Sequence, residues 1–60
     1  MYRYFIMSES LVIEGCTSCE CNTYPLSKEV CERKMAQALK SIALHGARRV
    51  IRSWIEEVTE

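Results

Sequence analysis

The chain has 60 residues and a mass of 7.0 kDa, with 48 % apolar side chains, four cysteines, and eight Lys or Arg balanced by eight acidic residues, all of them Glu. That length excludes a large catalytic scaffold, and no apolar run approaches the roughly 18 residues needed for a helical membrane span. A single core of this size seldom supplies more than about 3–5 kcal/mol, so a metal, disulfides or a partner chain is expected to complete it.

The net charge of zero hides a polarised sequence. Residues 1–32 hold two basic and five acidic side chains, residues 33–55 six basic and none acidic, and residues 56–60 three Glu. A secretory signal needs a longer apolar stretch than Tyr2-Arg3-Tyr4-Phe5-Ile6-Met7, which Ser8-Glu9-Ser10 interrupts, so a cytoplasmic chain is expected. Met7 offers a second start of translation, with residues 1–6 then an extension. No internal repeat or Pro-, Gly- or Ser-rich linker divides residues 1–60, which are read as one small domain.

In chain order, residues 2–13 read as a β-hairpin: an aromatic-rich strand over 2–7, a turn at Ser8-Glu9-Ser10, and a returning strand at Leu11-Val12-Ile13. Gly15 ends that strand, and residues 16–26 read as an irregular cysteine loop with turn chemistry at Asn22-Thr23-Tyr24-Pro25. Ser27 is an N-cap with Glu29 in the first turn, so a helix is placed at 27–45. At 100° per residue, Cys31, Met35, Ala38, Leu39 and Ile42 share one stripe, with Arg33, Gln37, Lys40 and Ser41 opposite. Val50, Ile51, Trp54, Ile55 and Val58 repeat at helical spacing and predict a second helix at 47–59. Its stripe lies roughly 140° around from the first, which a break at His45-Gly46 reconciles. The fold class expected is α+β: a zinc-stabilised hairpin followed by two helices.

Cys16, Cys19, Cys21 and Cys31 have the spacing C-x2-C-x-C-x9-C, and four thiolates are the complement of a closed tetrahedral zinc site. In a reducing compartment zinc leads the reading. Two disulfides, four packed thiols and an iron–sulfur cluster are the alternatives. The run Cys19-Glu20-Cys21, nine residues, Cys31-Glu32-Arg33, then Met35, Ala36, Ala38 and Leu39, resembles the SWIM zinc finger, in which CxC, a spacer and CxH lead into an apolar helix after a hairpin. The resemblance covers residues 2–44 in layout and implies a binding module for nucleic acid or protein. Arg33 stands where the family has its histidine, and a guanidinium cannot ligate a metal, which leaves Cys16 as substitute ligand.

Lys40, Arg48, Arg49 and Arg52, on the polar faces of the two predicted helices, form the expected nucleic-acid footprint. Val50, Ile51, Trp54 and Ile55, on the opposite face of the second, are expected to close the core or seal a homodimer. One His, no Asp and no phosphate-binding loop argue against an enzyme or a small-molecule substrate. The function expected is therefore a small zinc-binding regulatory or adaptor protein that binds nucleic acid. The alternative is a protein-interaction module or inhibitor of a larger protein that uses the Trp54 helix.

Overall fold

The aromatic-rich segment Tyr2–Ser10 forms the first strand, β1, in the computed structural model, which describes residues 1–59. It is followed by β2 at Thr17–Cys21, the helix α1 at Lys28–His45 and β3 at Arg48–Glu57. The strands make one antiparallel sheet in the order β2-β1-β3, so the first strand is the central one. The α+β class expected from the sequence is the one found.

Two elements differ from the sequence reading. The hairpin expected over 2–13 is longer: β1 runs on to Ser10, and its partner is β2, with Phe5 opposite Cys21 and Glu9 opposite Thr17. Leu11, Val12 and Ile13 belong to the connection, where Ser10 Oγ accepts hydrogen bonds from the Val12 and Ile13 amides at 3.1 and 2.9 Å. That hydroxyl stabilises a local turn and offers the backbone an alternative to the ladder. Gly15 closes the connection at φ 79°, a conformation costly for residues with a Cβ. Part of the expected cysteine loop, residues 17–21, is therefore strand.

The second correction concerns 47–59, which is not a helix. Arg48–Glu57 pairs with the full length of β1, Tyr2 opposite Glu57 and Ser10 opposite Arg48. The register slips between Met7 and Ser8, leaving Ile51 as the extra residue of a bulge. The bulge shifts the alternation by one position, so the adjacent pairs Val50-Ile51 and Trp54-Ile55 imitate helical spacing. β-Branched and aromatic residues fit the pleated surface, and the exposed edge of β1 supplies the partner.

The helix follows its sequence signals closely. Ser27 holds an extended N-cap conformation, its carbonyl accepting from the Cys31 amide at 2.8 Å, and Gly46 at φ 68° ends α1 with its amide on Ile42 O at 3.2 Å. His45 Nδ1 lies 2.8 Å from Ser41 O in the last turn. The stripe Cys31, Met35, Ala38, Leu39 and Ile42 is the covered one, and Arg33, Gln37, Lys40 and Ser41 are exposed.

Alternation along β1 fixes the two faces of the sheet. Tyr4, Ile6 and Ser8 face α1, together with Val50 and Ile55 opposite them on β3. Ile6 and Cys31 are fully buried and form the centre of a small core, with Ser8 only 4 % exposed. Phe5, Met7 and Glu9 face the other way, with Trp54, Arg52 and Arg49 opposite them on β3. Among the described residues α1 contacts β1 and β3 but not β2, and every residue of β2 is exposed. None of the described helices is long and apolar enough to cross a membrane.

Candidate nucleic-acid interface

The uncovered sheet face gathers aromatic and basic side chains. Phe5 and Trp54 are cross-strand neighbours, and their rings stack at 15° with centroids 5.3 Å apart. Arg52, two residues before Trp54 on the same strand, lies with its guanidinium carbon 4.8 Å from the centroid of the Trp54 ring. Trp54 Nε1 donates to Glu56 Oε1 at 3.2 Å, which fixes the ring's edge as well as its face.

Sequence reasoning places Arg52 and Trp54 on opposite faces of a helix. In a strand, residues two apart share a face, so the basic and aromatic sets merge into one surface. The face presents Arg3, Arg49 and Arg52 against Glu9 and Glu56. Arg49 is ion-paired with Glu9, a surface contact worth about 0–1 kcal/mol that a competing anion can exchange. Arg3 Nη2 reaches Thr23 O at 3.5 Å, while its buried Nε has no hydrogen-bond partner.

The other expected nucleic-acid residues are elsewhere. Lys40 is on the solvent side of α1, across the sheet from Trp54. Arg48 is turned inward: Nε donates to Ser8 Oγ at 2.9 Å, and Nη2 donates to Ser8 O at 3.2 Å and Ser18 Oγ at 2.8 Å. Its guanidinium bridges all three strands. Of the expected interface set, Val50 and Ile55 face α1, Ile51 is exposed at the bulge, and Trp54 alone lies on the uncovered face. Phe5 lies in the aromatic-rich strand expected over 2–7, and its pairing with Trp54 depends on the register of β3 against β1.

The cysteines do not gather in this arrangement. Cys19 and Cys21 are exposed on β2, Cys16 is exposed at the end of the preceding connection, and Cys31 lies wholly buried in the first turn of α1. Burial pushes the Cys31 thiol up from its ordinary value, and the neighbouring Glu32 carboxylate adds to the effect. All four are free thiols, and among the described residues no three His, Cys, Asp or Glu side chains are placed to hold a metal. The four-thiolate zinc site expected from the spacing is not assembled here, because Cys31 packs into the core while the other three face solvent.

Comparison with protein family models, with curated proteins and with solved structures finds no match for this chain.

Proposed function

We propose that the chain is a binding module for single-stranded nucleic acid and that the uncovered face of its sheet is the binding surface. The observation that carries this reading is the cluster of Phe5, Trp54 and Arg52 on a sheet face with no covering element among the described residues. Stacking a base on an exposed aromatic ring contributes about 1–3 kcal/mol and tolerates any sequence, because every base has a π-face. Arg52 occupies the Trp54 ring in the free protein. A base taking that position releases the guanidinium to a phosphate, so stacking and charge neutralisation occur at one place. Duplexes keep their bases stacked inside, which favours single strands as ligand.

The even balance of charge fits modest affinity rather than tight nonspecific binding. Trp54 is the sole tryptophan, so its fluorescence reports on the site directly. Titration with a short oligothymidylate or oligouridylate at low salt is expected to quench it, with affinity falling as salt rises and a small slope of about one to three phosphates. Unchanged fluorescence together with no retention of either oligonucleotide at low salt overturns the reading. The competing use of Trp54 as a helix in a partner's groove has lost its helix, since Trp54 lies on a strand.

A further inference from the structure

β3 lies at one edge of the sheet, with β1 on its inner side and no partner on its outer side among the described residues. It is ten residues long, and such an edge offers a row of backbone donors and acceptors to another strand. Proteins usually guard edges with charge, and β3 is charged at both ends, but with opposite signs. Arg48, Arg49 and Arg52 occupy its first half, and Glu56 and Glu57 its last two positions. A strand of that pattern repels a parallel copy and attracts an antiparallel one.

We propose that the chain forms a two-fold homodimer by antiparallel pairing of β3 with β3, centred on Trp54, with Arg52 of each copy opposite Glu56 of the other. Two-fold symmetry about the sheet normal requires one residue to sit opposite itself, and its neighbours then pair at equal steps on either side. Centring on Trp54 sets Arg52 against the partner's Glu56 twice and Ser53 against the partner's Ile55. Each pair lies on a single face, as cross-strand neighbours must. Moving the centre to Ile55 removes both charge pairs, and centring on Arg52 or Glu56 brings like charges into direct opposition. Centring on Ser53 exchanges them for Arg49 against the partner's Glu57, but Arg49 lies beyond the Ile51 bulge and is already paired with Glu9. The charges and the position of the bulge together select one register.

Two further features fit. The Ile51 bulge interrupts the regular strand just before Arg52, so the segment used begins where regular pairing begins. Among the described residues the core also contains only two fully buried apolar side chains, Ile6 and Cys31, in a chain short enough that its own core is marginal. The dimer is a continuous six-stranded sheet with two Phe5–Trp54 stacks side by side. The inference does not rest on the nucleic-acid reading: it is carried by the unpaired edge of β3 and its charge order, and Arg52 and Trp54 take part in both.

Sedimentation equilibrium of the full chain under reducing conditions, without nucleic acid, is the first test, and it is expected to show twice the 7.0 kDa monomer mass at micromolar concentration. A mass of 7.0 kDa up to the millimolar range overturns the proposal, even if the chain binds oligonucleotides. The second test uses Arg52→Glu and Glu56→Arg as separate proteins, with circular dichroism to check folding. Each alone sets like charges opposite one another at both positions and is expected to dimerise at least about tenfold more weakly. Mixed one to one, they place two carboxylates against two guanidiniums, and a heterodimer is expected. Single variants that dimerise as the parent does, or a mixture that stays monomeric, overturn the register. Should either single variant fail to fold, the Arg52→Glu, Glu56→Arg double variant restores both pairs. A dimer of it supports the proposal and a monomer overturns it.

Discussion

Arg48 Nε donates to Ser8 Oγ at 2.9 Å, joining residues 40 positions apart at the side of the sheet that faces the helix. Among the described residues Ser8 is the one buried polar side chain, and Arg48 also holds Ser18 on the exposed strand β2. The pair keeps all three strands in register at the end where the β1–β3 ladder slips. Arg48→Ala leaves the Ser8 hydroxyl buried without its donor, at a cost of about 1–3 kcal/mol. Urea or thermal melting should show that loss, and oligonucleotide affinity measured at low temperature should change much less than for Arg52→Ala.

Trp54→Ala should separate stability from binding in the opposite sense. The ring is half-buried on an uncovered face and stacked on Phe5, so its loss should cost about 1–2 kcal/mol, below the 3–5 expected of a fully buried aromatic residue. Binding of single strands should fall by tenfold or more. Melting curves and filter retention of a labelled oligonucleotide measure the two effects, and a stability loss as large as that of Ile6→Ala would place Trp54 in the core.

The four thiols should react in two classes. At neutral pH under native conditions Cys16, Cys19 and Cys21 should react quickly with a disulfide reagent, and Cys31 only as fast as the chain opens. The same protein provides the test of zinc. Holding one ion by all four thiolates requires Cys31 to leave its buried place, so native mass after zinc addition is expected to show four free thiols. One retained zinc with all four thiols protected would mean that the chain rearranges around the metal.

Alkaline pH should destabilise the fold. Burial raises the Cys31 thiol, with Glu32 adding to it, and burial followed by Glu20 raises the Tyr4 phenol. Each group therefore holds its proton more tightly when folded. The Cys31 contribution is fully present below the ordinary thiol value of about 8.5 and is lost as pH rises through its folded value. Tyr4 follows in the same sense above about 10. The melting temperature should fall steadily above about pH 8.5, and Cys31→Ala should remove the earlier part of that decline.

How much of this could be read from the sequence depends on how local each signal is. Ser27, Gly46 and the stripe from Cys31 to Ile42 lie within one helix, and they place α1 to within a residue at its start. The first strand was legible from its aromatic residues. β3 was not, because a bulge at Ile51 displaces the period-two alternation and leaves spacing that a helix would also give. Leu11-Val12-Ile13 has strand composition but lies in a turn made by Ser10, since β1 continues past its expected end. Likewise, the cysteine spacing carries no information about the two sides of a sheet, and the basic and aromatic halves of the candidate surface meet only once β3 is a strand.

The central position of β1 also sets an order of assembly. Its ladder with β2 closes a short loop, whereas its ladder with β3 joins positions as far apart as Tyr2 and Glu57. Loop-closure entropy favours the first and delays the second, so the hairpin and α1 can form while one flank of β1 is still bare. On the ribosome that flank waits for the last strand to emerge. A nascent chain stalled before Arg48 would present an open β-edge in the middle of what becomes the sheet, a template for pairing with other chains until β3 arrives to cover it.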